Sequence, residues 1–422
     1  MRAEIVAVGT ELLLGQIANT NARWMSERLA AIGVDVLHHR VVGDNLERIV
    51  GTLQDASARA DVVLVCGGLG PTQDDLTRDA IAAMLGAVLV HHDEIEAMLR
   101  ERFAGFSSAP MPESNLRQAQ VPEGVRWIVP ERGTAPGLIV ELGEGRRLYA
   151  VPGVPREMVE MMEGTILPEL TTLAGGGTIA SRVLRLTGVG ESAVAELLGD
   201  LFDASENPTV AFLASAGEVK VRLTAKASSP EAAGRLLAPL VDEVRGRLGD
   251  AVFSDRDESL EETVLSLLRA KELTIACAES LTGGSVSARL SAPAGASRSF
   301  RGAAVVYVEE VKRDVLGVRQ ETLDGPGVVS EACAREMAAG ARRLFGADVA
   351  ISLTGAAGPE PHGGQPPGTV WIALDAGGFT HARGFRIRGE RERVIRWAQQ
   401  ASLDLVRRYL EGRPLPVSDT TI

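Results

Sequence analysis

Short apolar runs alternate with amphipathic segments along the first part of the chain. Ala3 to Val8 reads as a strand ending at Gly9, and Asn21 to Ile32 carries helical spacing closed by Gly33. Val34 to Val42 is a second strand and Leu46 to Ala60 a second helix, and Asp61 to Cys66 is a third strand of continuous apolar character. A strand without a polar face is covered on both sides, so this alternation predicts a parallel sheet between two helical layers. The third strand runs into Gly67-Gly68-Leu69-Gly70-Pro71-Thr72-Gln73-Asp74-Asp75, and a helix from Leu76 to Leu85 follows. Strands at Leu138 to Leu142 and Arg147 to Ala150 adjoin two more glycine- and proline-bearing loops, Arg132 to Gly137 and Val151 to Glu157, before a helix from Met158 to Leu170.

The pattern then changes twice. Gly175-Gly176-Gly177 marks a linker, after which strands at Arg182 to Leu186, Val210 to Leu213 and Glu218 to Lys226 mix with helices at Glu191 to Leu198 and Ala232 to Leu248. The last two strands predict a hairpin turning at Ala216-Gly217, and the whole predicts a small α+β piece. Beyond it, a strand at Leu273 to Ala276 and a helix at Val286 to Leu290 flank Cys277-Ala278-Glu279-Ser280-Leu281-Thr282-Gly283-Gly284-Ser285. Ser299 to Tyr307, Ala347 to Leu353, Gly368 to Ala373 and Thr380 to Ile387 are further strands, and Glu331 to Leu344 is a helix. The predicted fold class is α/β, with a small α+β piece in the middle, and with domains at 1–170, 171–255 and 256–412 and a tail at 413–422.

Composition narrows the function classes. The chain has 422 residues, 44 basic and 56 acidic, a net charge of −12, and 4% aromatics. This balance disfavours broad nucleic-acid binding and anionic membrane surfaces, and few aromatics leave little for stacking single-stranded bases. Three scattered cysteines, Cys66, Cys277 and Cys333, predict a reducing compartment without a disulfide framework. No apolar run is long enough to span a bilayer, and Met1-Arg2-Ala3-Glu4 does not open a signal peptide, so a cytoplasmic location is expected. None of the six histidines has metal-ligand spacing.

Two places carry candidate chemistry. At the carboxyl ends of the first three strands lie Glu11, Asp44 and the Gly67 to Thr77 loop, the edge where open α/β sheets bind ligands. Backbone amides of Gly67, Gly68 and Gly70, with Thr72, suit a phosphate, and Glu11, Asp44, Asp74 and Asp75 offer hard oxygens to a divalent cation or could serve as a base. A glycine turn with an acidic helix start is the plainer alternative. In the last domain, Ser280 falls on a strand-to-helix turn beside free N–H groups, a place suited to a nucleophile and equally to a serine cap. Without a histidine base, Lys312 is the proton acceptor to consider, provided burial lowers its pKa; otherwise it pairs with Glu309 or Glu310 in solvent. The amides at Thr282 and Gly283 would hold a tetrahedral oxygen, and Arg391 opens the closing helix, placed either for a substrate phosphate or for solvent. Ser, Tyr and Lys also serve short-chain dehydrogenases, but those need tyrosine and lysine four apart on one helix face. Tyr307 and Lys312 are five apart, and no Gly-x-Gly-x-x-Gly opens the domain.

The Gly67 to Thr77 stretch resembles the molybdopterin-binding domain of molybdenum-cofactor biosynthesis proteins. Gly9-Thr10-Glu11-Leu12-Leu13, Gly133 to Gly137, Val151 to Pro155 and Ser280 to Gly284 narrow the resemblance to the competence/damage-inducible protein A (CinA) family, over nearly the whole chain. That resemblance implies a KH-type connector in the middle. Its Gly188-Val189-Gly190-Glu191 loop is acidic, so a connector or dimer element is expected rather than an RNA reader. It also implies a C-terminal nicotinamide-nucleotide amidohydrolase, converting nicotinamide mononucleotide (NMN) to the acid mononucleotide plus ammonia without a cofactor. There Ser280 is the nucleophile, Lys312 its base, Tyr307 a positioning or relay group, Thr354 a site hydroxyl and Arg391 the site arginine. Val308-Glu309 stands where relatives often carry Ser-Asn. For the N-terminal domain the resemblance implies a metal-dependent ADP-ribose pyrophosphatase, and for the assembly a homodimer. The competing expectations are a molybdopterin-binding protein without N-terminal catalysis, and an interaction protein for DNA uptake or repair.

Overall fold

The computed structural model describes residues 1–106, 110–204, 206–215 and 217–418. The chain folds as two compact units, residues 1–180 with 225–236, and residues 181–224 with 237–422.

The first unit is built on a sheet of β1 (Arg2–Val8), β2 (Asp35–Val42), β3 (Val62–Cys66), β4 (Arg126–Ile128), β5 (Gly137–Glu141) and β6 (Arg147–Val151), in the order β2-β1-β3-β6-β5-β4. The four strands β2, β1, β3 and β6 run parallel, as the apolar alternation predicts. Strands β5 and β4 are antiparallel additions at one edge. Their direction follows from chain length: Leu142 N donates to Arg146 O across a tight turn, and so short a link closes a hairpin, not a crossover. All of β3 is buried, with Val63 and Val65 in the core on one face and Val62, Leu64 and Cys66 in that on the other. Helices α1 (Thr20–Ala31), α2 (Leu46–Arg59) and α3 (Thr77–Leu85) cover the sheet. Asn19 and Asn45 cap the first two, accepting from Ala22 N and Arg48 N at 3.1 Å each. The polar residues after β1 and β2 therefore start helices in part.

Two further sheets follow along the chain, a smaller one and a larger one. Strands β7 (Thr178–Thr187), β8 (Thr209–Ser215), β9 (Glu218–Ala227) and β10 (Val252–Ser254) pair in the order β8-β9-β7-β10, with helices α4 (Glu191–Ala204) and α5 (Pro230–Leu248). The β8–β9 hairpin is antiparallel as predicted, and Ala216 of its expected turn lies outside the described residues. The larger sheet joins β11 (Ile275–Glu279), β12 (Phe300–Val305), β13 (Val349–Gly355), β14 (Thr369–Asp375) and β15 (Thr380–Arg386) in the order β12-β11-β13-β14-β15. Strand β11 lies between two parallel neighbours; β14 and β15 are antiparallel.

Side-chain alternation along β11 decides what each helix receives. Ile275 and Cys277 join the core with α6 (Leu260–Ala270), α7 (Ser285–Ser291) and α10 (Arg391–Glu411). Ala276 and Ala278 join the core with α8 (Glu309–Leu316) and α9 (Glu331–Phe345). A period of two continues past the strand, sending Glu279 toward α7 and Ser280 toward α8.

All three cysteines are buried free thiols. Burial pushes Cys66 and Cys333 up to about 11 and Cys277 well above an ordinary thiol. No helix among the described residues is long and apolar enough to cross a membrane.

Candidate active site

Ser280 leaves the end of β11 with its N–H donated to Leu353 O of the neighbouring strand at 3.0 Å. Its side chain meets Lys312 on α8, with Nζ to Oγ at 3.1 Å. Lys312 is 1% exposed and Ser280 8%, so the pair is withdrawn from water. The amine also donates to Val306 O at 2.9 Å and Tyr307 O at 3.4 Å. Burial lowers the Lys312 pKa from the ordinary lysine value. Once neutral, the amine has two N–H groups and a lone pair. The two carbonyls take the donors, leaving the lone pair for the Ser280 hydroxyl proton. The sequence leaves Lys312 open between solvent and site. An eight-residue helix, ended by Gly317 in the left-handed region, turns it inward.

The pair forms part of the wall of a cavity of about 440 Å³, together with the loop from Gly355 to Gly358 and Arg391. Arg391 donates to Tyr307 Oη at 2.8 Å and to Gly358 O at 3.1 Å. Glu309, Glu310 and Glu360 line the same cavity, so it offers both an anion and a cation a partner. Of the expected positioning or relay roles, the relay lacks a contact between the Tyr307 hydroxyl and Lys312: the carbonyl of Tyr307 faces Lys312 and its hydroxyl accepts from Arg391. Thr354 is fully buried, donates to Val328 O at 2.6 Å and does not line the cavity. Its hydroxyl braces a neighbouring segment.

The turn after Ser280 also differs from expectation. Gly283 N is committed to Ser280 O at 3.0 Å, whereas the Leu281 and Thr282 amides make no hydrogen bond among the described residues. Thr282 Oγ1 is likewise buried and without a partner among them. The amides at the start of α7 are occupied by Glu279, a residue the sequence reading passes over. Its carboxylate, with no exposure, accepts from Gly284 N at 3.1 Å, Val286 N at 3.0 Å and Ser287 N at 2.7 Å. A carboxylate ending an otherwise apolar strand is the signal that could have found it, because a buried charge needs partners.

In the first unit the Gly67 to Thr77 loop is folded on itself. Gly67 has φ +108°, and a Cβ there would sit 2.3 Å from Val8 O, so only glycine passes. Thr77 Oγ1 donates to Gly67 O at 2.7 Å, Thr77 N to Gly68 O at 3.0 Å, and buried Arg78 to Leu69 O at 2.9 Å. The stretch from Gly67 to Leu69 thus supplies carbonyls to its own helix. Asp75 accepts from the Thr72 N–H at 2.8 Å and from its hydroxyl. Asp44 accepts from Thr10 N at 2.9 Å, and the Glu11 carboxylate lies over Gly9. Asp74 is exposed and held below the usual carboxylate range, chiefly by the nearby Thr72 side chain. Among the described residues no group of three or more His, Cys, Asp or Glu side chains is placed to hold a metal ion. The four carboxylates named for a divalent cation, Glu11, Asp44, Asp74 and Asp75, do not form such a group.

Comparison with known proteins places these features. The description "CinA C-terminal domain" matches residues 257–410, "probable molybdopterin binding domain" residues 4–172, and "damage-inducible protein CinA KH domain" residues 181–254. A CinA-like protein of Frankia casuarinae is 45% identical over 429 residues, covering 100% of this chain and 99% of its own. The chain belongs to the CinA family. A CinA-family relative from Acetivibrio thermocellus, 43% identical over 413 residues with 97% of this chain and 99% of its own covered, carries a competence-damage inducible name. A CinA crystal structure from Thermoplasma acidophilum matches 39% of this chain and 95% of its own at 34% identity, with a TM-score of 0.37. The expected order of domain types, with a KH-type connector in the middle, is that of the CinA family. The pairing of domains is consistent with a hydrolase-type family.

Proposed function

We propose that the C-terminal site is a serine amidohydrolase acting on NMN. The single observation that supports it most is the buried Ser280–Lys312 contact at 3.1 Å, with two carbonyls holding the amine. Neutral Lys312 takes the Ser280 proton as Oγ attacks the carboxamide carbon. The uncommitted Leu281 and Thr282 amides are the nearest donors along the chain for the tetrahedral oxygen, a contribution of about 3 kcal/mol per donor in comparable sites. Collapse returns the proton to the nitrogen, releasing ammonia and leaving a Ser280 ester. Water, deprotonated by Lys312, cleaves that ester to the free acid. Arg391 exchanges its two neutral oxygen partners for the substrate phosphate, and the carboxylates beside it suit the pyridinium.

The test is ammonia release from NMN by the purified protein, with nicotinate mononucleotide as the other product. Ser280→Ala and Lys312→Met should each abolish release. Release that survives Ser280→Ala would overturn the assignment.

A further inference from the structure

We infer that Glu279 is the positioning residue of the Ser280 turn, in effect a helix cap supplied from a strand. The inference rests on the proposed nucleophile and goes beyond it by assigning a role to a residue outside the cavity wall.

Helix α7 begins at Gly284, with φ +98° and no side chain to cap the helix. Its first turn nevertheless has its orphan donors satisfied, because the Glu279 carboxylate accepts from the N–H groups of Gly284, Val286 and Ser287. Ordinary caps are local, from the residue at the helix start. This one reaches back across the nucleophile. Residues 280–283 become a small loop closed by the chain at one end and by the carboxylate at the other. Inside that loop Ser280 N and Gly283 N are bonded, to Leu353 O and Ser280 O, both at 3.0 Å. The Leu281 and Thr282 amides are left over.

Two consequences follow for catalysis. First, the amides at the start of α7 cannot serve a tetrahedral oxygen, since Glu279 occupies those of Gly284, Val286 and Ser287 and Thr282 O that of Ser285. Second, the same anion fixes the loop that carries both the nucleophile and its two free amides. Alternation along β11 makes the arrangement possible, with Glu279 and Ser280 on opposite faces of the strand. Neighbours in sequence therefore serve α7 and Lys312 separately. A carboxylate with no exposure and only backbone donors as partners is costly to keep as a mere cap.

The experiment compares wild type with Glu279→Gln, which keeps the shape and loses the charge, turning an NH2 group toward backbone donors. Two readouts are taken: steady-state NMN deamidation, and labelling of Ser280 by a fluorophosphonate, in which Oγ displaces fluoride from phosphorus. Glu279→Gln should slow both kcat and labelling by about 10–100-fold, the scale of a small misplacement of reacting groups. KM should stay within about threefold, and the pH midpoint of labelling should not move, because Lys312 keeps its contacts. Should Glu279→Gln not fold, Glu279→Asp, one methylene too short, carries the same test. A folded variant that labels and turns over within about twofold of wild type would overturn the inference, as would a loss that vanishes on cooling well below Tm. Wild type that labels at Ser280 without deamidating NMN would sink the substrate reading while the labelling comparison still decides the role of Glu279. Wild type that does not label at Ser280 would fell both.

Discussion

At the scale of single residues, the site turns on the protonation of Lys312. Burial holds its pKa below the ordinary 10.5, so the neutral base becomes available at lower pH than in a solvated lysine. The kcat/KM for NMN should rise with pH and level off at a midpoint below 10.5; a profile flat across the neutral and alkaline range would count against Lys312 as base. The same burial has a stability side. Between the folded and unfolded pKa values the unfolded chain binds more protons, so stability grows as pH rises through that window and the full penalty stands below it. Lys312→Met should therefore raise Tm at pH 7 while abolishing turnover, measured by calorimetry alongside the assay. Tyr307→Phe offers a further contrast. Because the phenol holds Arg391 and not the amine, the variant should resemble Arg391→Ala, raising KM more than it lowers kcat. A loss of kcat at constant KM would restore the relay.

At the scale of elements, most of what the sequence offered was periodicity, and it was legible where runs were long and apolar. The strand that runs into Gly67 and the one that ends beside Ser280 were both visible. The direction of β5 was not, since pairing sense depends on a turn at Gly143 to Arg146 rather than on hydrophobicity, and β4, three residues long, was not read as a strand at all. Helix α8 was missed because eight residues with two leading glutamates read as a polar connection. Its burial of Lys312 is a tertiary effect, and so is the capture of Glu279 by three amides. Glycine positions make an element-scale prediction. Gly67→Ala forces a side chain against Val8 O from a left-handed φ, so the first unit should lose about 1–3 kcal/mol from backbone strain alone, read by urea unfolding. In the second unit, Arg407 is fully buried. It donates to Asp404 Oδ1 at 2.9 and 2.7 Å, to Glu411 at 2.8 Å and to Asp250 O at 3.0 Å. Arg407→Ala should cost about 3–5 kcal/mol by leaving Asp404 and the end of α10 without that anchor.

At the scale of the whole molecule, the family resemblance leads us to expect a homodimer, which sedimentation at micromolar concentration would test directly. The two compact units treat their cysteines alike. Cys66 ends β3 in one unit, and Cys277 and Cys333 lie in β11 and α9 of the other, all buried and all held above the ordinary thiol range. A native chain should accordingly ignore iodoacetamide, and its chemistry should owe nothing to added reductant. Each thiol becomes available to the reagent only when its own core opens. Alkylation under brief pulses of increasing urea, mapped by mass, then dates the opening of each unit separately on one unmodified chain. Cys277, two residues before the carboxylate that caps α7, marks when the strand carrying the nucleophile comes apart.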